Sequence, residues 1–97
     1  MLKNKTLSML GLARRAGKLS MGHDMAEKSI KAHRAKLILL CSDASKRLVS
    51  EFERTLENFG LDIPLVVADI TMNEIHFAVG YKAGVMTVDD VNFSDKI

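Results

Sequence analysis

The fold of this chain is constrained most by short apolar runs that alternate with segments of helical periodicity. The runs occupy residues 37–41, 63–68 and 85–88, and Pro64 lies near the start of the second, where a missing backbone donor costs least. Continuous apolar runs of this length are typical of strands that are covered on both faces. Strand–helix–strand connections of this length favour right-handed crossovers. We therefore expect an α/β protein, a three-layer α/β/α sandwich around a small, mostly parallel sheet of buried strands.

Segments with helical spacing of apolar residues flank the runs. The spacing predicts helices over residues 6–16 and 48–59, and a capping box at residues 71–74 predicts a third helix. Residues 18–21 are compatible with either a strand or a connector. Glycines suited to a left-handed turn close the three helices. They are Gly17, Gly60 and Gly80.

A further helix is predicted after Gly22. Asp24 is expected to be its N-cap, with Glu27 three residues later as the partner in a capping box. We expect this helix and the first one to cover the open face of the sheet together. Lys28, Lys31 and Arg34 are spaced three apart, so they fall close together on a solvent-exposed face.

Length and composition indicate one globular domain, residues 1–97, since 97 residues are too few for two domains. The lone cysteine, Cys41, ends the first apolar run and is expected to be a small buried hydrophobic residue in a reducing compartment. The N-terminus lacks the pattern of a signal peptide. The longest apolar run is far below the roughly 20 residues of a membrane span. We expect a soluble, cytoplasmic protein that does not engage a membrane.

Charge is divided unevenly along the chain. The first 36 residues hold nine Lys/Arg and two acids, whereas the remaining 61 hold five Lys/Arg and ten acids. A cationic half of this kind attracts polyanions through Coulomb attraction and counterion release. All four Phe lie outside it, which favours structured RNA over stacking on single-stranded bases. Seven cations lie near the expected start of the second helix and are candidate phosphate contacts. They are Arg14, Arg15, Lys18, Lys28, Lys31, Arg34 and Lys36.

Motifs for catalysis, metal binding and nucleotide binding are not apparent in the sequence. His23, His33 and His76 are scattered and lack a Cys pair or HExxH-type spacing. Asp89 and Asp90 are adjacent on a terminal strand, where alternation points them to opposite faces, and the acidic tail that follows is expected to fray. We therefore expect no catalytic residue, metal, cofactor or small-molecule substrate.

Two segments carry a resemblance to a known family. The run LGLARRAGKL at residues 10–19 is followed by Gly22 and by RAKLILL at residues 34–40, with Asp43-Ala44-Ser45 after it. The chain resembles, over nearly its whole length, a small bacterial branch of the L-seven-Ae/L-thirty-e ribosomal protein family, often called YlxQ-like. The resemblance implies an α/β/α sandwich that binds kink-turn or related RNA without catalysis.

The resemblance also implies where RNA would bind. In that family, the glycine that opens the second helix and the polar residues after it meet the kinked RNA, typically at sheared G·A pairs. A lysine one turn later and the loop before the last helix assist. Gly22 and Lys28 match this pattern, whereas Asp24 and Met25 replace an Asn, Lys or Glu followed by Glu or Gln. The residues placed at RNA by this resemblance are Gly22, His23, Asp24, Met25, Lys28, Asp69, Ile70 and Thr71.

Three functions follow from these observations. The first is a ribosome- or translation-associated RNA-binding protein that docks the start of its second helix on structured RNA, including ribosomal RNA. The second is a protein-interaction module on the same fold that has lost base-specific kink-turn recognition, because Asp24 and Met25 stand at the expected contact point. The third is a small enzyme, which would require a deep pocket lined by His23 or His76 and a carboxylate. The sequence does not indicate the oligomeric state.

Overall fold

Helices and strands alternate along the chain in the computed structural model, which describes residues 2–97. The helices are α1 (Leu2–Arg15), α2 (His23–Lys31), α3 (Lys46–Phe59), α4 (Met72–Val79) and α5 (Val91–Ser94). The strands are β1 (Leu19–Met21), β2 (Leu37–Leu40), β3 (Leu65–Val67) and β4 (Val85–Val88). The segment that was compatible with a strand or a connector is thus a strand, and α1 begins four residues before the predicted start.

The central sheet has the order β1-β4-β2-β3 and is mixed. Only β2 and β3 are parallel, whereas β4 runs antiparallel to both β1 and β2, so the prediction of a mostly parallel sheet is wrong. The reason is that α4 starts and ends at one end of the sheet. The N–H of Ser42 donates to the carbonyl of Ile70 before α4, and the N–H of Cys41 donates to the carbonyl of Gly84 after it. The chain therefore enters β4 at the same end at which it leaves β3.

Strand β3 lies at the edge of the sheet and is not buried as predicted. Val66 and Val67 are each about half exposed, because β3 is at the end of the strand order and, among residues 2–97, pairs with β2 alone. A continuous apolar run does not distinguish such an edge strand from a central one, since both bury part of their side chains.

Helices pack on both faces of the sheet, and the predicted three-layer sandwich is confirmed. On one face, α1 and α4 bury Leu10, Ala13 and Ile75 against alternate residues of β1, β2 and β4. On the other face, α2 and α3 bury Ile30 and Phe52 against the remaining alternate residues of β2 and β4. The first two helices therefore lie on opposite faces rather than covering one face together.

Most of the predicted helix ends are confirmed. Gly17, Gly60 and Gly80 all adopt positive φ after α1, α3 and α4. Thr71 and Glu74 form the capping box of α4. The tail does not fray as expected, because Asp90 caps α5. Phe93 and Ile97 in this segment then pack against the core.

Cys41 is buried, as predicted. Its Sγ lies 3.4 Å from the carbonyl oxygen of Ala83, and burial raises the pKa of the thiol to about 11. The thiol is therefore protonated at neutral pH and packs as a small apolar group.

The carboxylate of Asp89, directly after β4, accepts hydrogen bonds from residues of three elements. The hydroxyls of Ser20 on β1 and Ser29 on α2 each donate to Asp89 at 2.6 Å, and that of Thr87 on β4 donates at 2.8 Å. Ser29 and Thr87 are fully buried, so this carboxylate satisfies hydroxyls that water does not reach. Asp89 thereby fixes α2 on the sheet.

Replacing Asp89 tests this role. Asp89→Ala leaves the hydroxyls of three buried residues without their acceptor and is expected to lower the free energy of unfolding by about 2–4 kcal/mol. Asp90→Ala is the matched control, since it removes the exposed cap of a four-residue helix and is expected to cost about 1 kcal/mol or less. Urea unfolding of both variants measures the difference. Equal losses would contradict a role for Asp89 beyond that of a surface acid.

Candidate nucleic-acid interface

Gly22 joins β1 to α2 and fixes where the helix begins. Its N–H donates to the carbonyl of Val85 on β4 at 3.0 Å, and its own carbonyl accepts from the N–H of Ala26 at 2.9 Å. One residue thus ends the sheet ladder and starts the helix. Its φ of 87° and ψ of 167° lie in a region that is essentially restricted to glycine. The requirement for glycine at this position is therefore conformational.

Asp24 does not cap α2, contrary to the prediction. The N-cap is Gly22, which has no side chain to accept a hydrogen bond, and Asp24 is already the second residue of the helix. Its side chain consequently points into solvent and is 97% exposed. Glu27 makes no capping box and instead accepts from Lys31 one turn later at 3.1 Å. Within the described residues, the backbone N–H groups of the first turn of α2 therefore have no capping side chain.

His23 connects the start of α2 to α3. Its Nε2 lies 2.8 Å from Oε2 of Glu51, and its Nδ1 lies 3.4 Å from Oδ1 of Asp24. The ring also packs edge-on against Phe52, with 5.4 Å between the centroids. The hydrogen bond to Glu51 raises the pKa of His23 above 6.5, and partial burial opposes that rise. Asp24 adds a smaller effect in the same direction.

Tyr81, in the turn between α4 and β4, forms the other side of this surface. A Cβ atom on Gly22 would lie 3.8 Å from the Tyr81 hydroxyl, so the tyrosine faces the helix start directly. The guanidinium of Arg14 on α1 lies over the Tyr81 ring, 5.8 Å from its centroid. We define the α2-start concavity as the open depression lined by Met21, Gly22, His23, Asp24, Met25, Lys28 and Tyr81.

Sequence reasoning did not identify Tyr81. The residue is 59 positions from Gly22, and the two meet because β1 and β4 pair with Met21 opposite Met86. The sequence does show an aromatic residue in a turn between Gly80 and Gly84. Its place beside Gly22 can be inferred only once the antiparallel pairing of β1 with β4 is known.

The predicted cations do not form one patch. Lys28 lines the α2-start concavity, and Arg14 reaches it through Tyr81. Lys18 and Arg34 line a second depression with Asp89 at the opposite end of the sheet, and Met25 borders both depressions. A polyanion that leaves the α2-start concavity past Met25 would therefore meet two further cations.

Other cations point elsewhere. Arg15 faces a groove between α1 and α4, and Lys36 faces a groove beside Pro64. Lys31 bonds to Glu27 and lies over the ring of Phe59, 5.7 Å from its centroid. These three are not brought to the start of α2.

The structure also separates the loop before α4 from the start of α2. Ile70 is 3% exposed and belongs to the core, so its side chain is not available to RNA, contrary to the expectation from the resemblance. The hydroxyl of Thr71 is occupied as the N-cap of α4. Asp69 lines a groove with Lys3 and Thr6 on the α1 side of the sheet. The loop that faces Gly22 is the one that carries Tyr81.

Comparison with known proteins places this architecture in a family. Residues 4–96 match the Ribosomal protein L7Ae/L30e/S12e/Gadd45 family, and the chain belongs to that family. It is similar to the RNA-binding protein YlxQ of Bacillus subtilis (strain 168), with 31% identity over 90 residues that cover 92% of this chain and 87% of the relative.

Solved structures show the same fold. A protein of unknown function from Bacillus halodurans C superimposes with a TM-score of 0.78 at 28% identity, over 95% of this chain and 91% of the other. The Giardia lamblia 15.5kD RNA binding protein superimposes with a TM-score of 0.70 over 98% of this chain and 80% of the other. At 16% identity, that likeness is evidence for the fold alone.

The ionisation of His23 tests the contact between α2 and α3. We expect NMR titration to give His23 a pKa above 6.5, and Glu51→Gln to move it back toward 6.5. Because the folded-state pKa is raised, the stabilisation is fully present below about pH 6.5 and is lost as the pH rises through the folded-state value. Glu53→Gln, at an exposed site on the same helix, is the control and should leave the His23 pKa unchanged. An unshifted pKa in the parent protein would contradict the contact.

Proposed function

We propose that this protein is a non-enzymatic RNA-binding protein that recognises structured, kink-turn-like RNA through the α2-start concavity. The observation that carries this proposal is the uncapped first turn of α2, which Gly22 opens toward solvent between Lys28 and Tyr81. Membership of a ribosomal protein family supports it, as does the similarity to a bacterial protein named as RNA-binding.

Backbone groups at the start of α2 would make the central contacts. N–H groups at a helix N-terminus donate to phosphate or base-edge oxygens, and the helix dipole favours the negative charge. Gly22 has no side chain, so RNA can approach the backbone closely. Lys28, one and a half turns later, neutralises phosphate, and the ring of Tyr81 under Arg14 offers a surface for stacking.

The second depression extends this surface. Lys18 and Arg34 line the depression that shares Met25 with the α2-start concavity, and they would take phosphates of the same RNA after it leaves the helix start. In this proposal the protein works in the cytoplasm beside the translation machinery, with ribosomal RNA among its candidate partners. It needs no cofactor, metal, membrane or small-molecule substrate.

One observation favours a second function. Asp24 is almost fully exposed at the helix start, where its charge opposes phosphate, and Met25 beside it is half exposed. A protein-interaction module on the same fold, with its basic surface on an acidic protein or on the ribosome, would tolerate both residues. This alternative predicts weak RNA binding with no preference for a kink.

Substitution of Lys28 tests the proposed surface. Lys28→Ala is expected to weaken binding to a kink-turn RNA and to reduce the log–log dependence of the binding constant on salt by about 0.7–0.9, the value for one phosphate contact. Lys96→Ala removes an equal charge from the exposed C-terminal segment and should leave both quantities unchanged. Filter binding over a series of salt concentrations measures both effects.

An unkinked duplex of equal length and charge separates the two functions. The proposed function predicts tighter binding to the kink-turn RNA than to this duplex. Equal, weak binding to both RNAs, with no effect of Lys28→Ala, would contradict it and support the protein-interaction module.

A further inference from the structure

Both ring nitrogens of His23 face carboxylate oxygens. Nε2 is 2.8 Å from Glu51, and Nδ1 is 3.4 Å from Asp24. Ionised carboxylates only accept hydrogen bonds, and a neutral imidazole has a single N–H, so the neutral ring would turn a lone pair toward one of them. The imidazolium form can donate to both. Both contacts are therefore satisfied at once only when the ring is protonated.

The other charged groups around His23 do not take the place of the second ring proton in pairing with Glu51 and Asp24. On α2, Glu27 adds to the negative field at the ring, and Lys28 lies on the concavity side. On α3, Arg47 Nε lies 3.7 Å from Oε1 of Glu51, the oxygen that His23 does not contact. From the α4–β4 turn, the phenol of Tyr81 shares the concavity with His23. The remaining contact, Phe52, is apolar.

A protonated His23 ring offsets the negative charge of Asp24. Without the His23 proton, a carboxylate with a 97% exposed side chain stands beside the helix N–H groups that would meet phosphate. With the proton, the three charged residues that line the α2-start concavity, His23, Asp24 and Lys28, sum to one positive charge. A cation at a helix N-terminus is opposed by the helix dipole, so the ring depends on Glu51 and Asp24 to hold its proton.

We propose that His23 is a positioning residue for RNA binding: clamped by Glu51 and protonated, it cancels the charge of Asp24 and makes the start of α2 receptive to RNA. This inference rests on the proposed RNA-binding function and adds a pH dependence to it. By linkage, RNA binds more tightly to the protonated form, and bound RNA in turn makes the ring hold its proton more firmly.

The test is the dissociation constant for a kink-turn RNA, measured from about pH 8 to about pH 6 at constant ionic strength, the range in which histidine titrates. The wild-type protein is expected to bind about tenfold more tightly at the acidic end, which corresponds to a shift of about one pKa unit in His23 on binding. His23→Gln should bind as weakly as the wild type at the basic end and show a flat profile. Asp24→Asn should bind more tightly at the basic end and depend less on pH.

The other two histidines supply matched controls. His76→Gln alters an exposed ring on α4, and His33→Asn alters a residue at a φ of 60°, which asparagine tolerates. Both variants should keep the wild-type pH profile. A flat wild-type profile, or a full pH dependence in His23→Gln, with RNA binding intact, would overturn this inference alone. No RNA binding at any pH would overturn the proposed function and this inference with it.

Discussion

The antiparallel pairing of β4 with β1 is the constraint on which the candidate site depends. It places Val85 opposite the end of β1, where its carbonyl accepts the N–H of Gly22 and so sets the first residue of α2. The same pairing brings the turn before β4 to the helix start, and with it Tyr81. At the other end of the two strands, Asp89 accepts hydrogen bonds from hydroxyl groups on β1, α2 and β4. The position of α2 is thus fixed at both ends of one strand pair.

Signals that depend on neighbouring residues were predictable from the sequence. The capping box of Thr71 and Glu74 and the glycines that close α1, α3 and α4 follow from local hydrogen bonding and backbone conformation. The apolar runs marked three of the four strands. Helical periodicity likewise marked the faces that α1 and α3 bury.

Features that depend on strand order were not predictable in the same way. The apolar pattern of β3 does not distinguish an edge strand from a central one, and the length of α4 does not reveal that both of its ends lie at one end of the sheet. The prediction that Asp24 is the N-cap of α2 was wrong for a local reason. Gly22 takes the N-cap position because the ladder with β4 ends there, so Asp24 is inside the helix rather than before it. Five residues that line the α2-start concavity were predicted through the family resemblance, whereas Tyr81 required the fold; the five are Gly22, His23, Asp24, Met25 and Lys28.

Amide NMR during titration with a kink-turn RNA is the most direct test of the proposal that RNA meets the first turn of α2. We expect the largest shifts at the amides of residues 22–28 and of Tyr81, with smaller shifts at Lys18 and Arg34. Amides of β3, which contributes no residue to the lining of either depression, should be unaffected. Shifts centred on β3 or on the loop at residues 68–71, with residues 22–28 unchanged, would contradict RNA binding at the start of α2.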